Sequence, residues 1–278
     1  MRLDHARRLL ADTEYAVERV RSVGQGQAGV LRTGVAMLAE HVIAPALAAL
    51  HAQYAGIVLD STVAVSERLL AQLSEGRLQV AFVHQVPALA ALAQVQWELV
   101  RRGRLAVMMS RQHPLAGRDD IALHQLAGET FLVNPRQLAP SAYQGLKLMC
   151  AEFGGFDPQV TESAATSAPA LDPDWRPIRQ SAAIAIMAEE TARAICPPEI
   201  AVVPVRPPPL SAIAVAWRHG DRSALVDRVL GFIRSYRDAN GWLADSPRLS
   251  PAQKHVLDGP RERRVFLFCL SLESKDAP

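Results

Sequence analysis

Val30-Leu31-Arg32-Thr33-Gly34-Val35, Ile57-Val58-Leu59 and Val80-Ala81-Phe82-Val83 are three short apolar runs within residues 29–83, and the intervals between them decide the fold. Such runs read as parallel strands covered on both faces, with Arg32 the one misfit. Between the first two, Ile43, Leu47, Leu50 and Tyr54 fall at helical spacing, Pro45 is tolerable in a first turn, and Gly56 is placed to stop the helix. Between the second and third, Ser66 reads as an N-cap and Glu67 suits the positive end of the helix. Val65 can staple onto Leu70, and Gly76 ends the run. Strand, helix, strand, helix, strand predicts one half of a doubly wound α/β sheet with right-handed crossovers.

Ligands of parallel α/β sheets bind in the crevice outside the carboxyl ends of the strands. Here that edge carries the loops 36–41, 61–66 and 84–87, which lead into helix N-termini whose N–H groups attract anions. Ser66 is the first candidate, because a hydroxyl at a helix start can also face a ligand, and His84, ending a strand on the same edge, is the second. Met37, Ser141 and Ser163 are candidates by loop position. With Glu40 the one acid in those loops, the helix ends predict a small organic anion, a carboxylate, as the bound molecule.

Composition narrows the class. A chain of 278 residues that is 49% hydrophobic can bury two cores, so two subdomains are expected. A net charge of +2 with no long run of Lys and Arg gives no support for direct, specific DNA binding by this chain alone. Cys150, Cys196 and Cys269 are odd in number and far apart, without the paired spacing of a zinc site or a redox disulfide. They read as free thiols in a reducing cytoplasm. No stretch approaches the ~20 apolar residues of a membrane span, and no secretion signal is apparent. No cofactor and no metal are expected, and Asp172-Pro173-Asp174 is a solvated turn rather than a calcium site. G-x-S-x-G, H-E-x-x-H and a P-loop are absent, which argues against an enzyme.

In residues 2–23, Leu3, Ala6, Leu10, Thr13, Val17 and Val20 follow the alternating three-and-four spacing of a heptad, predicting a helix that pairs through Leu3, Ala6, Leu10, Val17 and Val20 with a second chain into a dimer or tetramer. Gly24-Gln25-Gly26-Gln27-Ala28-Gly29 fits G-x-G-x-x-G, but stands after a helix and before a strand, so it reads as a flexible hinge and not a nucleotide site. Beyond 83, residues 95–104 read as a link to a second unit, with strands at 105–109, 131–133, 159–161 and 200–203 and helices at 141–153 and 183–194. Residues 163–178 read as a proline-rich loop. A strand at 211–217 and a helix marked by Leu225, Val229, Phe232 and Tyr236 complete the pattern, and 241–278 is expected to be a poorly ordered tail.

Over residues 3–240 the chain resembles the LysR-type bacterial transcriptional regulators. The resemblance is carried by the helix ahead of Gly29-Val30-Leu31-Arg32-Thr33-Gly34, by residues 69–83, by His113-Pro114-Leu115-Ala116 and by residues 184–189, in that order and spacing. It implies two Rossmann-like subdomains of the periplasmic-binding-protein type, crossed twice by the chain and preceded by a linker helix. The divisions would be 1–28 for helix and hinge, 29–100 with 208–240 for subdomain I, and 101–207 for subdomain II. It further implies sensing of a small-molecule effector in the cleft, with the family's N-terminal helix-turn-helix expected to be lacking. A solute-binding receptor with the same cleft is the alternative, and an enzyme the remoter one. Departures from the family pattern are Ser181-Ala182-Ala183 where Gly-Leu-Gly is usual, Ala188 for a common proline, and Gln79 for a usual aspartate.

Overall fold

The computed structural model describes residues 21–84, 94–163, 175–206, 210–221 and 223–243. The heptad positions Leu3, Ala6, Leu10, Val17 and Val20 and the residues 244–278 of the tail lie outside the described residues.

In chain order, β1 (Ala28–Ala36), α1 (Glu40–Gln53), β2 (Gly56–Ala64), α2 (Ser66–Ser74) and β3 (Val80–His84) form the opening unit. β1 pairs in parallel with β2, from Ala28 opposite Gly56 to Ala36 opposite Ala64, and with β3 through Thr33–Val35. Arg32 fits because its side chain is exposed: its amide donates to Gln79 Oε1 at 3.0 Å and its Nε to the Arg77 carbonyl at 3.1 Å. Gln79, where the family has an acid, thus extends the β1–β3 pairing. Gly76, at φ +77°, ends α2 as predicted: Gly76 N–H donates to Leu73 O and Arg77 N–H to Gln72 O, the paired bonds of a Schellman turn.

Three local expectations are corrected here. Pro45 lies inside α1 rather than in its first turn, because the helix already begins at Glu40 behind a short 3₁₀ turn, Met37–Ala39. Gly56 opens β2 rather than stopping α1, which is capped at Tyr54, and a side chain on Gly56 would meet the Gln27 carbonyl at 2.8 Å. Where a flexible hinge is expected, Gly26 (φ +69°) lies so close to Ala224 that a Cβ would stand 2.2 Å from its carbonyl oxygen, and Arg228 donates to the Gln25 carbonyl at 3.1 Å.

The second half holds β4 (Val95–Ser110), β5 (Ile121–Ala122), β6 (Thr130–Val133), α3 (Pro140–Met149), β7 (Gln159–Glu162), α4 (Arg176–Arg179), β8 (Ala185–Ala188), α5 (Glu189–Ile195) and β9 (Ile200–Arg206). β10 (Leu210–Arg218) and α6 (Ala224–Ala239) then return to the first half. β4 corrects the reading of 95–104 as a link: it is one 16-residue strand. Its front half, where Val95, Trp97 and Leu99 alternate with Gln96 and Glu98, pairs with β10, and its back half pairs with β8 and β9. The strand order is β2-β1-β3-β10-β4-β9-β5, with β8 also on β4. The helix expected over 183–194 is also corrected: Ala185–Ala188 pairs antiparallel with Leu105–Met108, and the helix starts only at Glu189. Ala and Met favour helices, but the open edge of β4 overrides propensity in so short a run.

The chain crosses between two cores inside β4, where Arg104 faces Leu210 and the next residue, Leu105, faces Ala188, and again between Arg206 and Leu210. The first core joins Leu31, Ile43, Leu69 and Phe82 to Val226, Val229 and Ile233 of α6. In the second half Leu105, Val107 and Met109 point into one cluster with Phe131 and Leu146, while Met108 points the other way onto Trp175 and Ile178.

Candidate functional site

Between the two cores lies a cavity of about 340 Å³ bounded by both halves of the chain, within the usual range for small-molecule sites. Because β1 and β3 run parallel, Met37 and His84 leave the sheet at the same edge, and Ser66 follows the end of β2 there. From the other half come Ser141, in the first turn of α3, and Ser163, whose amide continues the β6–β7 ladder onto the Val133 carbonyl at 2.8 Å. All five residues predicted from the sequence line this one cavity.

Ser66 does not cap its helix as predicted. The cap position is Val65, with extended backbone and no side-chain hydrogen bond, and Ser66 is already helical. Its Oγ instead accepts the His84 backbone N–H at 3.2 Å, tying the start of α2 to the end of β3. Ser66 is buried at 7% exposure, and its hydroxyl hydrogen stays available to a further acceptor. The His84 ring nitrogen Nε2 is inaccessible and has no hydrogen-bond partner among the described residues. Burial lowers the imidazole pKa to about 4, so the ring is neutral at pH 7.

Glu67 was legible in the sequence only as a favourable charge for its own helix. It reaches across the cavity to the other half, where its Oε1 accepts both the backbone N–H of Ser141, at 3.2 Å, and the Ser141 hydroxyl. A carboxylate from α2 therefore occupies the place of an anion at the N-terminus of α3. Glu40, the one acid expected in the loops, lines a separate outer groove with Leu47, His51 and Val58. Glu67 puts a negative charge in the cavity wall that the sequence reading did not place there. Among the described residues no Lys or Arg lines the cavity, and the nearby Arg136 is engaged elsewhere, stacked on Tyr143 at 4.2 Å and paired with Glu162 at 3.2 Å.

The remaining walls are mostly apolar, with Asn134, Tyr143 and Ser211 the other polar side chains. Leu105, Met108, Phe131, Met149, Trp175 and Met187 form most of the far side. Methionine walls adapt to ligand shape because the thioether chain is unbranched and polarisable. Sequence reading missed these residues because each also packs in a hydrophobic cluster of its own half, and nothing local marks which core residues border the cavity.

Among the described residues no group of three or more His, Cys, Asp or Glu could hold a metal ion, and no helix is long and apolar enough to cross a membrane. Burial raises the Cys150 thiol to about 12, with Asp157 adding to the shift, and the Cys196 thiol to about 11, so both stay protonated.

The family model described as LysR substrate binding domain matches residues 24–238. The chain is 25% identical over 225 residues to the HTH-type transcriptional regulator BudR of Raoultella terrigena, covering 80% of this chain and 75% of that protein. It spans about half the length of another regulator it matches, TtuA of Agrobacterium vitis, at 29% identity over 57% of this chain and 51% of that one. The crystal structure of CbnR, a LysR family transcriptional regulator, superposes with a TM-score of 0.68 at 18% identity, covering 84% of this chain and 78% of that one. The BenM effector binding domain with its effector benzoate superposes at 0.63 with 16% identity, over 79% and 96%.

Proposed function

The chain belongs to the LysR substrate-binding-domain family, and from that premise we propose that the cavity between its two cores is the effector site through which it senses a small molecule for transcription regulation. The observation that carries this is convergence: Ser66, His84 and Glu67 from one half and Ser141 and Ser163 from the other meet at a single cavity outside the strand ends. We place the two units at 29–100 with 208–240 and at 101–207, so that a molecule bound between them bears on both. Occupancy then biases their relative placement, which a ligand can do only through differential contacts with two arrangements.

The site supports sensing rather than catalysis. Ser66 receives the backbone N–H of His84 and not its ring, so no base is poised on the hydroxyl. Ser141 donates to Glu67 within one cross-cavity pair that closes the space instead of aiming a nucleophile into it. We read the chain as cytoplasmic, consistent with its free, protonated thiols, and as self-associating through Leu3, Ala6, Leu10, Val17 and Val20. Regulation of promoters belongs to a complete regulator; this chain alone, at a net charge of +2, is not expected to bind DNA specifically.

The test is a thermal-shift screen of small organic molecules against the full chain and against Ala142→Trp. Ala142 is exposed on α3 and lines the cavity, so the indole fills space without disturbing a core. Stabilising molecules should lose their effect in the variant. Molecules that stabilise both proteins equally would place the effector site elsewhere.

A further inference from the structure

The cavity's polar groups specify what kind of molecule it accepts. Both Ser141 bonds go to Oε1 of Glu67, which leaves Oε2 without a partner among the described residues. A carboxylate oxygen only accepts, so the group that completes it must donate. His84 Nε2, an inaccessible polar atom without a partner among the described residues, takes either role according to tautomer and brings no charge of its own at neutral pH. Ser66 Oγ is held by the His84 amide and has one hydrogen to give. Asn134, Tyr143, Ser163 and Ser211 add neutral polar side chains to the lining, and against them stand Met108, Phe131, Met149, Trp175 and Met187, which reward an apolar body.

Charge points the same way. Glu67 is half-buried, and among the described residues no Lys or Arg side chain lines the cavity to offset a second anion. A bound carboxylate would face a carboxylate while both lose water, the kind of repulsion by which sites reject the wrong ligand. We propose that the effector is an apolar molecule bearing an amine or hydroxyl that donates to Glu67, and that carboxylates are excluded. This rests on the cavity being the effector site.

The experiment uses three matched sets of probes on the full chain: phenyl, cyclohexyl and linear hexyl bodies, each carrying a terminal amine, a terminal hydroxyl or a carboxylate. Affinities are measured by calorimetry on the parent, on Glu67→Gln and on Ala142→Trp, with circular dichroism to confirm folding. In each set the amine or alcohol should bind at least about tenfold tighter than the acid, and Glu67→Gln, which keeps the shape and removes the charge, should narrow the amine-to-acid gap by about tenfold or more. Ala142→Trp should abolish binding of every probe that binds. Acids that bind the parent best and lose binding in Ala142→Trp would overturn the ligand class while leaving the cavity as the site. Amines and alcohols that bind Ala142→Trp as tightly as the parent would overturn the site and the class together. An amine-to-acid gap unchanged by Glu67→Gln, or no binding by any amine or alcohol at millimolar concentration, would likewise overturn the proposal.

Discussion

The two walls of the cavity are built on different plans. The wall from the first half presents Ser66, Glu67 and His84, all at strand ends or in the first turn of a helix, held by backbone geometry and by one another. The wall from the second half is mostly Leu105, Met108, Phe131, Met149, Trp175 and Met187, side chains that also pack in that half's own hydrophobic clusters. One wall therefore sets orientation through a few polar atoms, and the other supplies contact area. A polar tie between them, Glu67 to Ser141, joins residues 74 apart in sequence.

That division can be broken first on the apolar side. Phe131 is 1% exposed and stacks on Phe156 at 6.2 Å. Phe131→Ala should destabilise the chain by about 3–5 kcal/mol, read from denaturant unfolding, because it removes both buried area and the support of the second core. A loss under about 1 kcal/mol would mean that this wall is loosely packed.

The polar wall responds to pH. His84 takes up its proton near pH 6.5 in the unfolded chain but only near 4 when folded. Between those values the unfolded state binds more protons, so stability present above pH 6.5 is lost as pH falls toward 4. The residue as a whole is only half-buried although its Nε2 is inaccessible, so solvent screening holds the loss to about 2 kcal/mol. Unfolding free energies of the parent and His84→Leu across this window test it: the variant should show the flatter profile.

The tie between the walls has a smaller expected effect. A double-mutant cycle of Glu67→Gln and Ser141→Ala should give a coupling of about 1 kcal/mol, as for a hydrogen bond to a charged group that remains partly hydrated. Independent effects would show that the two walls are not joined there in solution.

Smallest is a change beside the second wall. Ser181 is the one described residue other than glycine with positive φ, at 56°, and it stands where the family usually has glycine. Ser181→Gly should raise stability by about 0.5 kcal/mol, relief of the left-handed strain being partly offset by the freer unfolded chain. Thermal unfolding resolves a shift of that size.

These contrasts also explain what could be read from the sequence. The opening unit was legible because its strands are short apolar runs separated by helical spacing and Gly76, and strand direction alone then placed Met37, Ser66 and His84 at one edge. In the second half, Arg101, Arg102 and Arg104 masked the strand that crosses between the cores, and Ala185–Ala188 has helical propensity that the edge of β4 overrides. Glu67 was missed as a site residue for a different reason. Its own neighbours explain it fully as a helix-start acid, and the contact that redefines it lies across the cavity, where no local pattern reaches.

The most direct measurement is hydrogen exchange of the full chain with and without a molecule selected by the thermal-shift screen. Added protection is predicted at Met37–Ala39, 66–68, 84 and 141–143, from both walls at once, with no change at 51–59 beside the outer groove of α1 and β2. Protection confined to that outer groove, with the cavity segments unchanged, would contradict the account.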